Sequence, residues 1–382
     1  MSQISVLQSN HDHIFDLPAG RTWHQRHDQS FRKKCVVLES AIDHLSRIAS
    51  DWDDHETDVK SRTLRILARA GKQAFEALVH QDAADRELQL DSLRKSLSSS
   101  QILRVLPDCT IHWEFFYLGK NADNPTLDEF LGASMNVIRK LGAAYASHDS
   151  VDDTDIQISG TVDSIYLSDS WLHQRPSENI EIVIAQDMNL RSASTGTEKR
   201  AVEATGFKTK DVPVLRQGNV GDYSIFSEAL GTSEILSHFN CHAERAGAKD
   251  GREVPAKLYV TDTFAISKND LGNVNFKARS IVVLSLCHGG QLDEFRNESL
   301  AAAFKGKEVS AVISATNRVP DAFASLWART FYTALFEGKS VGQALFSARK
   351  RIVNDRENPA ALLYVIFGDP DATIPTPVQN AA

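Results

Sequence analysis

Cys287 and His242 are the residues of this chain whose types and positions predict chemistry. Cys287 follows a largely apolar run at 280–286, and His242 follows a second run at 235–241. Each run is short and β-prone, as a buried parallel strand should be. The carboxyl ends of neighbouring parallel strands share one crevice, so we expect the thiol and the imidazole to face each other there. This is the minimum arrangement for a cysteine nucleophile with a histidine base, and it predicts a cysteine protease.

The competing histidines carry weaker arguments than His242. A free cysteine is most often a small buried side chain. The position of Cys287 at a strand end, before two glycines, is what favours catalysis. His238 lies inside its strand run and is expected to point into a helix layer. His288 directly follows the cysteine, so its side chain diverges from the thiol, and His112 ends no second apolar run. His242 is therefore the preferred base.

Composition excludes several classes of protein. The 382 residues are 42% hydrophobic and 24% charged, which is ordinary for a soluble globular protein. A net charge of −8 argues against general nucleic-acid binding. Residues 1–29 contain no apolar core of the kind that a signal peptide has, and no stretch of the chain has the apolar length of a membrane span. The four cysteines form no close pair, so neither a metal site nor a disulfide framework is predicted. We expect a cytoplasmic, reduced protein.

The pattern along the chain predicts an α/β fold with a mostly parallel sheet sandwiched by helices, preceded by a small helical N-terminal region. Residues 1–30 are polar and predict a flexible tail, 31–100 a helical region, and 101–382 the α/β domain. N-terminal helices are predicted at 35–50, 59–79 and 84–97. Strands are predicted at 102–106, 180–185, 212–215, 235–241, 257–260, 280–286, 309–315 and 362–367. Later helices are predicted at 197–205, 223–230, 299–304, 322–336 and 341–353, and 130–139 reads as a short strand or helix.

Ordered sequence blocks between about 111 and 374 carry a family resemblance. The blocks are 111–114 with 130–132, 189–190 with Glu198, 239–244, 283–287, 311–321, 331–332 with 338–340, and 367–370. Together they resemble the CHAT family, which comprises caspase-like peptidases related to separase, gingipain and the caspases. One departure is His112, which stands where the family usually has proline. The resemblance implies a caspase-like fold and a His242–Cys287 dyad.

The resemblance also implies an oxyanion hole made by the backbone N–H groups of Ala243 and Cys287. The family usually has glycine directly after the catalytic histidine, and this chain has Ala243. Alanine keeps the N–H donor on which the hole depends. It would be strained, however, if the loop required a positive φ. The alternative function is therefore an inactive CHAT-like pseudoprotease that acts as an interaction scaffold.

Specificity and partners follow from the same resemblance. In separase-like enzymes an acidic residue after the last core strand lines the pocket for a basic side chain. Asp321 holds that position, and Asp187 is a weaker candidate for the same pocket. The alternative interpretation of Asp321 is a helix N-terminal residue stabilised by the helix dipole. The expected partners are a protein substrate, cleaved after a basic residue, and an activating or regulatory protein. The expected setting is bacterial defence, including antiviral defence, or regulated cell death.

Two further expectations concern cofactors and control. A nucleotide-binding loop would need glycines after the first strand of the α/β domain, but 188–192 has none, so no cofactor is expected. The segment 245–256, with two glycines and mixed charge, is expected to be a mobile loop beside the site. Low basal activity that a partner raises is the corresponding expectation for control.

Overall fold

The computed structural model of the chain describes most of the sequence, in segments separated by gaps. The described residues are 3–8, 12–17, 21–26, 29–79, 85–100, 102–106, 111–139, 181–186, 192–205, 208–211, 223–224, 226–228, 236–244, 247–249, 252–254, 256–259, 265–271, 280–285, 300–305 and 309–374. No helix among them is both long enough and apolar enough to span a membrane.

A mixed, mostly parallel sheet forms the centre of the molecule. Its strands are β1 (Gln3–Gln8), β2 (Asp12–Leu17), β3 (Arg21–Arg26), β4 (Ile102–Leu106), β5 (Asn136–Arg139), β6 (Glu181–Gln186), β7 (Lys208–Asp211), β8 (Leu236–Asn240), β14 (Ile281–Ser285), β15 (Ala311–Ala315) and β16 (Tyr364–Gly368). In the described part of the chain their order is β3-β2-β1-β4-β5-β16-β15-β14-β8-β6-β7. The antiparallel pairs are β1 with β2, β2 with β3, and β15 with β16, and the other neighbours run parallel.

In the described part of the chain, five short strands lie outside this sheet. They are β9 (His242–Glu244), β10 (Gly247–Lys249), β11 (Arg252–Val254), β12 (Lys257–Tyr259) and β13 (Ala265–Ser267). Strands β9, β12 and β13 form a three-stranded sheet, and β10 pairs with β11. The expected mobile loop at 245–256 therefore contains a β-hairpin. Asp250-Gly251 separates its two strands in the sequence, and Asp-Gly is a favoured pair for two-residue hairpin connections.

Helices cover both faces of the central sheet. They are α1 (Gln29–Ile48), α2 (Thr57–Glu76), α3 (Arg86–Ser98), α4 (Leu131–Ser134), α5 (Ser192–Glu203), α6 (Lys268–Leu271), α7 (Leu300–Lys305), α8 (Asp321–Phe336) and α9 (Val341–Arg356). The predicted helices at 35–50, 59–79 and 84–97 correspond to α1, α2 and α3, so the helical N-terminal region is confirmed. The segment 130–139 contains both a helix, α4, and a strand, β5.

Alternation along the strands divides the interior into two apolar cores. In β14, Ile281 and Val283 face the core that contains α1, α2, α8 and α9. Val282 and Leu284 face a second core, which contains α6 and α7. Successive strand residues point to opposite faces of a sheet, so both faces need apolar side chains. This is why β14 appears in the sequence as a nearly continuous apolar run, whereas β8, which is also buried along its length, includes Ser237, His238 and Asn240.

The N-terminal segment differs from the expected flexible tail. Three strands lie within residues 1–30, and β1 pairs in parallel with β4 while β2 and β3 extend the sheet further. Ile4 and Val6 alternate with polar residues in β1, which is the pattern of a strand with one buried face. The high proportion of His, Asp and Gln in this segment concealed that short alternation. The strand predicted at 212–215 lies outside the described residues and stays a prediction; β7 ends just before it, at Asp211.

A buried charged cluster fixes the packing of β5 and α9. Glu114 contacts Arg139 of β5 at 2.6 Å and Arg349 of α9 at 3.7 Å, and all three side chains are at most 2% exposed. Arg349 also donates a hydrogen bond to the backbone carbonyl of Tyr364 in β16. Burial lowers the pKa of Arg349 to about 10; the carboxylate of Glu114 opposes this shift and the positive charge of Arg139 adds to it. The cluster therefore joins the segment around Glu114, a short 3-10 helix at Trp113–Phe115, to β5, α9 and β16.

Candidate functional site

The candidate site lies where β8 and β14 end. The two strands run parallel, and Asn240 pairs with Ser285 at their carboxyl ends. His242 stands two residues after Asn240, and Cys287 stands two residues after Ser285. The backbone of His242 begins β9, whereas its side chain and the whole of Cys287 lie outside the described residues. The structure thus brings together the strands that lead to the two residues, and it does not show the thiol–imidazole distance.

Ala243 has an extended backbone. It lies in β9 and pairs with Leu258 of β12 in an antiparallel ladder, with its half-buried side chain against the second core. Among the described residues, Glu357 is the one non-glycine residue with a positive φ. Ala243 therefore does not adopt the left-handed conformation in which a Cβ would be strained. This removes the structural objection to alanine at a position where the family usually has glycine.

Asp321 is the first residue of α8, after Pro320 at the cap position. It follows β15, the neighbour of β14 in the sheet. Its side chain is exposed, so the described residues do not enclose it in a pocket. The position matches the helix N-terminal interpretation and leaves the substrate-pocket role untested. Asp187, the second pocket candidate, lies outside the described residues.

A buried polar group is built around His238, two residues before the end of β8. His238 of β8 is 1% exposed, as expected for a residue that points into the helix layer. Its Nδ1 lies 2.8 Å from the hydroxyl of Tyr332 in α8. Its Nε2 lies 2.9 Å from Oε1 of Glu198 in α5, close enough for an ion pair although the two atoms are not aligned as a linear hydrogen bond. Glu198 is itself only 2% exposed.

Tyr332 stays protonated under all ordinary conditions. Burial raises the pKa of Tyr332 well above its usual value, and the negative charge of Glu198 adds to the increase, as does the neighbouring Tyr364. A phenol with a raised pKa is a hydrogen-bond donor and not an activated nucleophile. The hydroxyl of Tyr332 is therefore suited to holding the imidazole of His238 in one orientation.

A second buried contact lies below the end of β14. The hydroxyl of Ser285 is 3.2 Å from the hydroxyl of Tyr364 in β16. Trp327 of α8 stacks on the ring of Tyr364, with a centroid distance of 3.6 Å and an angle of 5° between the ring planes. Phe331, one turn further along α8, also stacks on the ring of Trp327. Helix α8 thus packs under both strands that lead to the candidate dyad.

Sequence reasoning missed these contacts as part of the site. The three residues of the buried polar group come from separate elements, α5, β8 and α8, so no local pattern reports them. The available signal was His238, an ionisable residue inside a short run that the sequence predicts as a buried strand. Cys241 was expected to be a packed strand cysteine, and it is buried in the second core. The described residues contain no group of three or more His, Cys, Asp or Glu side chains arranged to hold a metal ion.

The parallel sheet, its helix layers and the adjacent strand ends define a caspase-like α/β protein. The CHAT domain model matches residues 150–369, which is more than half of the chain, and the chain belongs to the CHAT family. Among curated proteins, no sequence matches the chain.

Solved structures that resemble the chain include two of the Saccharomyces cerevisiae separase–securin complex. A chain of the 2.6 Å crystal structure is 9% identical, with a TM-score of 0.53, and the match covers 98% of this chain and 30% of that chain. The 3.0 Å structure gives 11% identity, a TM-score of 0.41, and coverage of 90% and 22%. At such low identity the first match shows a separase-like fold and nothing finer, and this chain spans less than a third of the matched chain.

Proposed function

We propose that this protein is a cysteine endopeptidase in which Cys287 is the nucleophile and His242 is its base. The observation that carries the proposal is the register of β8 and β14, which pairs Asn240 with Ser285. Each candidate stands two residues beyond its half of this pair. If both chains kept their direction for two residues, the imidazole and the thiol would project side by side from the same face of the sheet.

The reaction follows from these groups. His242 takes the proton of the Cys287 thiol, and the thiolate attacks the carbonyl carbon of the substrate. A C–S bond forms, and the carbonyl π electrons move to the oxygen, which accepts hydrogen bonds from the backbone N–H groups of Ala243 and Cys287. When the intermediate collapses, the C–N bond breaks and the imidazolium returns its proton to the leaving amine. Water then hydrolyses the thioester with His242 again as base.

The substrate class that we propose is a protein cleaved after a basic residue. The motivation is the resemblance, which assigns the pocket to Asp321, with Asp187 as a second contributor. Asp321 stands at the start of α8, directly after the strand next to β14. A carboxylate there pairs favourably with a guanidinium. Because the side chain is exposed, its contribution depends on how far the bound substrate shields it from water.

Regulation by a second protein is part of the proposal. The structural relatives come from a complex of two proteins, separase and securin, and a freely active protease would be harmful to its cell. We therefore propose a regulatory partner that controls access to the strand ends, in a setting of bacterial defence or regulated cell death, inside the cytoplasm. The purified chain alone should cleave slowly.

The competing function is an interaction scaffold without peptidase activity. The observation in its favour is Ala243, which departs from the family pattern. The extended backbone at this position weakens that argument, because alanine keeps the N–H and carries no strain.

Thiol reactivity tests the proposal without knowledge of the substrate. Iodoacetamide should label Cys287 faster than Cys35, a half-buried cysteine of α1 that is not in a disulfide and serves as an internal reference. His242→Ala should abolish the difference, because the thiolate needs a neighbouring imidazolium. A peptide-library digest with wild type and Cys287→Ala then identifies the cleaved sequence. Equal labelling of Cys287 and Cys35 in wild type would contradict the proposal and favour the scaffold.

A further inference from the structure

A sealed polar group under the candidate dyad calls for a physical explanation. Glu198, His238 and Tyr332 are each at most 2% exposed. Buried polar groups of this kind cost desolvation free energy, and apolar residues of similar volume often give equal or greater stability. A directional contact between buried polar groups, in contrast to apolar packing, favours one arrangement of the elements that it joins. The arrangement that this group specifies is the position of β8 relative to α5 and α8.

Two contacts hold the imidazole of His238. Its Nδ1 lies 2.8 Å from the Tyr332 hydroxyl, and which of the two atoms donates depends on the tautomer. Its Nε2 lies 2.9 Å from Oε1 of Glu198 without the alignment of a hydrogen bond. Because the contacts involve both ring nitrogens, together they restrict the orientation of the ring.

The group lies on the face of the sheet from which the dyad is proposed to act. His238 and Asn240 are two residues apart in β8, so their side chains share a face. Ser285, the register partner of Asn240, shares that face and contacts Tyr364. Tyr364 in turn lies under Trp327 of α8. The same helix therefore contacts β8 through a polar pair and reaches β14 indirectly, because it stacks on Tyr364 of β16, whose hydroxyl contacts Ser285.

Burial excludes a direct part in the reaction for these residues. A substrate cannot reach side chains that are sealed between the sheet and α8, and the raised pKa of Tyr332 keeps its oxygen from acting as a nucleophile. They can affect the reaction only indirectly, because they fix the position of β8. A displacement of about 1 Å at a reacting group is enough to slow a reaction substantially.

We propose that Glu198, His238 and Tyr332 are positioning residues that fix the carboxyl end of β8, and thereby the orientation of His242 toward Cys287. This inference rests on the proposed His242–Cys287 dyad. It assigns to α8 the task of holding both strand ends in one relative position. Tyr332 is the residue that makes the contact from that helix to β8.

The test compares Tyr332→Phe with Thr330→Val in the full chain. The first variant deletes the hydroxyl that contacts His238. The second deletes a hydroxyl from the same helix that bonds only locally to the carbonyl of Leu326, so it is a matched control. The measurement is the rate at which iodoacetamide labels Cys287 as a function of pH, below the onset of unfolding, with Cys35 as the internal reference. Thermal unfolding of each variant is recorded in parallel.

We expect Tyr332→Phe to label about tenfold more slowly near neutral pH, with its pH profile shifted toward that of an ordinary thiol. Glu198→Gln, which keeps the side-chain volume and removes the charge, should act in the same direction. Thr330→Val should match wild type. Once substrate is known, Tyr332→Phe should lower kcat and leave KM unchanged, because no contact with substrate is lost.

The outcomes separate this inference from the proposed function. If wild-type Cys287 reacts no faster than Cys35, the dyad is wrong and the inference falls with it. Rapid labelling of Cys287 in wild type that His242→Ala abolishes would support the dyad. If Tyr332→Phe and Glu198→Gln then both react like wild type, the positioning role is overturned. Lower thermal stability in these two variants with an unchanged pH profile would also overturn it, since the group would then serve stability alone.

Discussion

Asn240 at the end of β8 lies beside Ser285 at the end of β14, and the offset between their residue numbers equals the separation between His242 and Cys287. The same offset holds at every paired position of these strands, from Leu236 with Ile281 onward. A random histidine and cysteine would have no reason to share the register of two neighbouring strands. This agreement is the strongest physical argument that the two residues act together.

The proposed dyad predicts that the effects of substituting its two residues are not additive. Either Cys287→Ala or His242→Ala should remove nearly all peptidase activity, because each residue depends on the other for the reaction. The double variant should then be hardly slower than either single one. Measurement of kcat/KM for the three variants, with circular dichroism to check the fold, tests this. Comparable turnover by Cys287→Ala and wild type would show that the nucleophile lies elsewhere.

Glycine and proline substitutions at Ala243 test whether its backbone N–H contributes to the oxyanion hole. Ala243→Gly keeps the donor, and kcat should stay within about threefold of wild type, since the extended backbone creates no strain for glycine to relieve. Ala243→Pro removes the donor and should lower kcat by about 10²- to 10³-fold. Thermal unfolding is measured for both variants. Equal activity of the glycine and proline variants would rule out an oxyanion contact from this N–H.

The exposed position of Asp321 limits how much specificity it can supply. Asp321→Asn should lower kcat/KM for substrates with arginine or lysine before the cleaved bond by up to about fivefold, which corresponds to the roughly 1 kcal/mol of a solvent-exposed ion pair. The effect should shrink as salt is added. Glu337→Gln, at the other end of α8 and also exposed, is the control. An equal decrease for neutral and basic substrates would mean that Asp321 only stabilises the start of its helix.

The elements that lead to the site were predictable from the sequence, and the polar layer beneath them was not. β14 and β15 are fully buried strands whose apolar runs stand out against the rest of the chain, and β8 is equally buried although it carries three polar residues. The strands near the N-terminus are short and rich in polar residues, which conceals them. The contact of His238 with Tyr332 joins residues 94 positions apart. Only the packed fold brings such residues together.

The pKa of Tyr332 predicts a change in stability at alkaline pH. Its folded-state pKa lies above the ordinary value of 10.0, so above that pH the unfolded chain releases the phenolic proton while the folded chain retains it. The contribution of this group to stability is therefore complete below pH 10.0 and is lost as pH rises toward the folded-state pKa. Urea unfolding across the alkaline range should show a shallower loss of stability in Tyr332→Phe than in wild type. Parallel curves for the two proteins would show that the hydroxyl is ordinary in the folded state.

The buried cluster around Glu114 predicts a large loss of stability from a change that alters almost no volume. Glu114→Gln leaves the guanidinium groups of Arg139 and Arg349 buried without the carboxylate that both contact. Removal of one partner from a buried ion pair costs about 3–5 kcal/mol of unfolding free energy. The matched control is Asp123→Asn, which removes the carboxylate of an exposed pair with Arg69 and should cost at most about 1 kcal/mol. Urea denaturation of both variants measures the difference. Similar losses in the two variants would mean that water reaches the Glu114 cluster and screens its charges.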